Sequence, residues 1–253
     1  GVITAPDVIR FVASLVGRYR PSTMLCVATA LRSFFRFLRL EGLRADRLEE
    51  AVPSVVSRKL VGLPRHLVDR DLDRLLAALD GSTPRGRRDR AIVLCVARLG
   101  LRPGEVTKIR LEDIDWHAGV LNIPARKTGR GARLPLPNDV GRAIADYLTD
   151  GRPPTQSRHI FVLHHLRVGA PATSFVVSNA VNIALDQAGI VVQRRGAYLL
   201  RHTLATSLIR RGASLKEIAD ILGHRCLAST QVYARLDLAS LREVALPWPE
   251  VAS

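Results

Sequence analysis

Apolar residues recur at helical spacing through most of this chain, and the exceptions mark its organisation. Residues 5 to 18 and 21 to 41 read as two amphipathic helices. The second opens at "PSTM", where Ser22 or Thr23 offers a hydroxyl to the orphan amides, and closes at Gly42. Leu31, Phe34, Phe35 and Leu38 follow the helical period and are expected in a core. Arg32, Arg36 and Arg39 fall on another stripe at i, i+4 and i+7, placed either to track a phosphate backbone or to form a solvated face. From Ala51 to Arg65 the pattern is irregular and broken by Pro53, Gly62 and Pro64, the mark of a linker.

Beyond the linker a helix is expected from about Asp69 to Leu79, and another after "GSTP", with Ser82 or Thr83 as cap and Pro84 at its first position. Residues 114–116, 120–124 and 133–136 are short β-type runs separated by "HAG" and "RKTGRGA", a small antiparallel sheet. Helical period returns over 138–149, 173–188, 197–211, 214–223 and 226–235. The expected fold class is mainly α with a small antiparallel β-sheet, in two domains: residues 1–52, a linker over 53–66, and residues 67–253.

Composition adds a partner to this picture. The chain has 253 residues with 38 Lys+Arg against 23 Asp+Glu, a net charge of +15. Only Lys59, Lys108, Lys127 and Lys216 are lysine, so 34 of the 38 cations are arginine, which suits planar bidentate partners such as phosphate. Both parts are basic: 11 cations and 5 anions over residues 1–66, 27 and 18 over the rest. Two basic bodies on a short linker fit a clamp around duplex DNA. Cys26, Cys95 and Cys226 are odd in number and far apart, which points to no disulfide framework or zinc site and to a reducing, cytoplasmic compartment. No run approaches the ~18 apolar residues of a membrane span, and no signal peptide opens the chain. It starts at Gly1 rather than Met, and an N-terminal piece is expected to be missing.

Four local features carry candidate chemistry. In "LGLRPGEV", Arg102 stands in a turn before a helix, with Glu105 three residues on, able to hold its guanidinium. In "ARKTGRGARLPLP", Lys127 lies at the tip of a Gly-rich hairpin. In "LLRHTLAT", Arg201 shares a helix with Leu200, Leu204 and Leu208. In "LGHRCLASTQVYARL", Gly223 ends a helix, His224 follows, and Tyr233 comes nine residues later. Each alone has an ordinary structural explanation. Together, in this order over residues 97 to 235, they resemble the tyrosine recombinase, or phage integrase, family, whose catalytic domain carries "GLRxxE", a hairpin lysine, "HxLRHTxAT" and "LGHxxxxxTxxY". The helical first part is similar to that family's core-binding domain.

The resemblance implies a C-shaped two-domain clamp that cuts and rejoins DNA at specific sites through a 3′-phosphotyrosine, with a free 5′-hydroxyl as the other product. It makes Tyr233 the nucleophile, Arg102 and Arg201 the clamp on the phosphate oxygens, Lys127 the general acid, His224 a hydrogen-bond donor and Glu105 a support for Arg102. It calls for no cofactor and no metal. The implied partners are double-stranded DNA and further recombinase subunits, as a homo-tetramer on two sites or an assembly with related recombinases, with no membrane. His164 and His165 read as surface or packing residues.

One position departs from the pattern. Three residues before the second arginine the family most often has histidine, sometimes lysine; here it is Tyr198. A phenol can donate to a phosphate oxygen but is a poor base near neutrality. Tyr198 therefore either tunes a working enzyme or marks a cleavage-impaired member that binds DNA beside an active partner. Other readings of the same residues are a type IB topoisomerase and a DNA-binding protein without activity.

Overall fold

The computed structural model describes residues 3–55, 66–124 and 131–223. The chain divides into two compact units, Gly1–Val61 and Gly62–Ser253. Most of the expected linker, the hairpin tip with Lys127, His224, and the last expected helix with Tyr233 lie outside the described residues.

The first unit is helical: α1 (Ala5–Ser14), α2 (Pro21–Leu40) and the single turn α3 (Leu48–Ala51). Asp7 caps α1 by accepting the Thr4 amide at 3.0 Å. The hydroxyl cap expected at Ser22 or Thr23 is not used, because α2 starts earlier, at Pro21, whose fixed φ suits a first helical position, and the N-cap residue is Arg20, which makes no side-chain cap. Val8, Ala28, Phe35, Leu48 and Val52 form the core, with Leu31 and Leu38 packed against it. Phe34 is 51% exposed, contrary to its expected place in that core. One residue is 100° of helix rotation, so the stripe through Ala28, Leu31, Phe35 and Leu38 turns its neighbour Phe34 outward.

The second unit is built around α5 (Pro84–Leu99). Thr83 caps it by accepting the Gly86 amide at 2.9 Å, and Gly100 ends it in the left-handed conformation, φ 61°. Ile92, Val93, Cys95 and Val96 are all fully buried, so the middle stretch of the helix is apolar on every side and sits inside the unit. Burial pushes the Cys95 thiol up to about 12, which keeps it protonated and inert. Around it pack α7 (Asn138–Asp150), α8 (Ser174–Gln187) and α9 (Ala197–Arg210), with α4 (Asp69–Ala77) on α8, the short α6 (Pro103–Val106) following Arg102 and α10 (Leu215–Leu222) closing on α9.

β1 (Ile114–Asp115), β2 (Val120–Ile123) and β3 (Ala132–Pro135) form one antiparallel sheet in that order. The register pairs Ile114 with Leu121 and Asn122 with Arg133. Leu121 and Ile123 are buried while Asn122 faces out, the alternation of a sheet with one covered face. The architecture is thus mainly helical with a small antiparallel sheet. No helix among the described residues is long and apolar enough to cross a membrane.

Candidate active site

Arg102 is the N-cap residue of α6 and is held from two directions. Its amide donates to Glu105 Oε2 at 2.9 Å and its Nη1 donates to Glu105 Oε1 at 2.8 Å, so a single carboxylate fixes both the backbone and the side chain. Its Nη2 donates to the carbonyl of Gly223 at 2.9 Å. A charge-assisted contact of this kind, on a carboxylate only 13% exposed, orients the guanidinium while leaving it partly open to solvent.

Arg201 lies on α9 and is only 3% exposed. Its Nη2 donates to the Leu222 carbonyl at 2.5 Å and its Nη1 to the Gly100 carbonyl. Those acceptors belong to the carboxyl ends of α10 and α5, where helix carbonyls lack intrahelical donors and the dipole favours a cation. Both helices stop on left-handed glycines, Gly100 and Gly223. The turn at Gly100 is tight: a Cβ there would stand 2.7 Å from Leu222 and 2.9 Å from Leu204. Arg102 and Arg201 therefore meet at two successive carbonyls, Leu222 and Gly223, though they come from distant parts of the chain.

The neighbours of Arg201 extend this frame. Thr203 Oγ1 accepts the Leu67 amide and donates to the Leu199 carbonyl, both at 2.9 Å, tying the start of the second unit to α9. His202 is held below the ordinary imidazole range, first by burial, then by the charges of Arg201 and His66. Tyr198, in the first turn of α9, is 57% exposed, and no hydrogen bond joins its hydroxyl to another described residue. The phenol and the buried guanidinium one turn later thus occupy different environments on the same helix. Near this turn a Cβ at Gly196 would lie 3.8 Å from Ser178 of α8, and one at Gly104 would lie 3.7 Å from Ser174, so the first turns of α6 and α9 both adjoin α8.

The model of the phage integrase family matches residues 65–239, more than half of the chain and the stretch that holds this arginine pair. The chain belongs to the phage integrase family. Among relatives of this integrase-family chain, the Sinorhizobium fredii protein named "Putative integrase/recombinase y4rA" is 44% identical over 98% of the chain and 60% of its own length. The tyrosine recombinase XerC of Oceanobacillus iheyensis is 32% identical over 95% of the chain and 79% of its own length. The chain spans 60% and 54% of the first two curated relatives it matches. Its fold is like that of the XerH site-specific recombinase bound to a palindromic difH substrate in a post-cleavage complex, with a TM-score of 0.80 at 21% identity over 98% of this chain and 73% of that one. A lambda integrase dimer bound to a COC' core site matches with a TM-score of 0.68 at 18% identity, over 99% and 84% of the two chains.

Of the residues singled out in the sequence, Arg102, Glu105 and Arg201 stand together, and Tyr198 is close by in chain and exposed. Lys127, His224 and Tyr233 lie outside the described residues. In the first unit, Arg32 donates to the Val52 and Pro53 carbonyls, both at 3.0 Å, and Arg39 pairs with Glu49 at 2.8 Å, whereas Arg36 is exposed. The sequence reading missed the role of two helix ends: Gly223 reads as a helix stop, Gly100 is not singled out, and no residue pattern announces which donors the carbonyls at these ends will receive. His164, expected to be a packing or surface residue, stacks on buried Tyr147 and shares a 3.2 Å hydrogen bond with its hydroxyl.

Proposed function

We propose that this protein is a tyrosine site-specific DNA recombinase, with Tyr233 as nucleophile, Arg102, Arg201 and His224 as donors to the scissile phosphate, Lys127 as general acid and Glu105 as the support of Arg102. The observation that carries the reading is the meeting of Arg102 and Arg201 at the Leu222 and Gly223 carbonyls, immediately before His224. Direct attack on a phosphodiester builds negative charge on the non-bridging oxygens, and two pre-oriented guanidiniums lower the barrier where that charge grows. The Tyr233 phenolate oxygen forms the bond to phosphorus and the P–O5′ bond breaks. The departing 5′ oxygen takes a proton from the Lys127 ammonium, leaving a 3′-phosphotyrosine diester, a 5′-hydroxyl and a neutral lysine. Religation runs the same step backwards with a new 5′-hydroxyl and needs no external energy source.

The partners that go with this chemistry are double-stranded DNA and other recombinase subunits, as a homo-tetramer on two sites or with related recombinases. Both units are basic, and the exposure of Arg36 on α2 supports it as the phosphate contact of its stripe. The experiment is a nicked duplex carrying a site selected by binding from random-sequence DNA, with denaturing electrophoresis as readout. A covalent protein–DNA adduct forms with the wild type, is lost in Tyr233→Phe and is kept in Tyr198→Phe. A specific observation favours a second reading: Tyr198 stands where the family most often has histidine. If the wild type binds its site and yields no adduct, the protein is a cleavage-impaired DNA-binding partner. Relaxation of a plasmid lacking the site would instead mark a type IB topoisomerase activity.

A further inference from the structure

Two catalytic guanidiniums are effective only at a set spacing, and neither Arg102 nor Arg201 sets that spacing alone. Arg102 rides on the first turn of α6 and Arg201 on the second turn of α9. They are brought together at consecutive carbonyls of one turn, Leu222 to Arg201 at 2.5 Å and Gly223 to Arg102 at 2.9 Å. That turn exists because Gly223 adopts φ 59°, which closes α10 and swings its last carbonyls away from the helix axis. Gly100 completes the arrangement, since its carbonyl is the other acceptor of Arg201 and its Cα lies against Leu222 and Leu204. The carbonyls add orientation without a further countercharge to the Glu105 carboxylate that already pairs with Arg102.

We propose that the Leu222–Gly223 turn is a positioning device for the phosphate clamp, with Gly223 as the residue that sets the register between Arg102 and Arg201. The inference rests on the recombinase reading above. It also links the clamp to the chain that follows, because the turn that spaces the two arginines is the one from which the segment bearing His224 and Tyr233 departs. A side chain at 223 disfavours the left-handed conformation, rotates the two carbonyls and lets the guanidiniums part.

The test pairs a protein change with a substrate change, using the full chain and the nicked duplex of the preceding experiment. Gly223→Ala is expected to slow adduct formation by roughly 10- to 100-fold, the usual effect of misplacing a catalytic group by about 1 Å. DNA binding is expected to stay within about threefold, since phosphate contacts elsewhere carry affinity. Gly223→Asn restores most of the rate, because asparagine enters the left-handed region more readily than alanine. The second substrate carries a methylphosphonate at the scissile position, which replaces one charged non-bridging oxygen by a neutral methyl group. On it the Gly223→Ala deficit relative to wild type shrinks to below about threefold, because less charge needs clamping. An equal deficit on both substrates would mean a general loss of structure and overturns the proposal, as does a wild-type rate for Gly223→Ala on the diester. Absence of any adduct with the wild type removes the recombinase reading itself, and this inference with it.

Discussion

Replacing Arg201 by alanine tests the frame independently of any DNA chemistry. The guanidinium is 3% exposed and donates to the Leu222 and Gly100 carbonyls, which lie on buried residues. Truncation leaves two buried acceptors without these donors, at about 1–3 kcal/mol each. The guanidinium's own desolvation cost is recovered, and the void left behind acts in the opposite sense. Taking about 1.5 kcal/mol per acceptor gives a net loss of about 3 kcal/mol, or a fall in Tm of roughly 6–12 °C for a unit of this size. Arg201→Lys keeps the charge but not the fork, reaches one carbonyl, and should lose about half as much. Arg102→Ala should cost about 1 kcal/mol or less, because its side chain is 31% exposed and water replaces it at Gly223. Urea unfolding at 25 °C followed by far-ultraviolet circular dichroism, with the slope held common, orders the three variants. An Arg201→Ala variant no less stable than Arg102→Ala would show that the buried carbonyls do not depend on Arg201.

Two further outcomes follow from the structure. Arg36→Ala should weaken DNA binding and lower the salt dependence by about one phosphate contact without changing stability, whereas Arg32→Ala, which abandons the Val52 and Pro53 carbonyls, should destabilise the first unit; salt titrations and melts on both variants separate the effects. His164 is depressed to about 4, by burial first and then by the charges of Arg88, His165 and Arg85, so the folded chain resists a proton that the unfolded chain accepts near 6.5. Its contribution to stability is complete above about pH 6.5 and is lost as pH falls towards 4, by no more than about 2 kcal/mol once partial exposure is discounted. His164→Gln should flatten that part of the pH–stability profile, and an unchanged slope would show that the imidazole is not the group responsible. His202, shifted in the same direction, keeps part of the slope.

The period of apolar residues was enough to determine the element types, because burial on one face of a helix or strand is written directly into residue spacing. It placed α5, α7, α8, α9 and the three strands to within a residue or two, whereas Arg102, Glu105 and Arg201 were singled out as a set by local motifs and the family they resemble. Spacing gives an angle around a helix axis, however, and not what fills the space that the angle points into. Only the tertiary structure decided that Phe34 faces out and that Arg32 and Arg39 bond to their own unit. It also decided that Arg201 turns inward to two helix ends while Tyr198, one turn earlier, stays exposed. The glycine at 223 announced that one helix stops, and the structure ends another at Gly100. Which cations take up the carbonyls left over at those stops depends on chain segments more than a hundred residues apart being packed side by side.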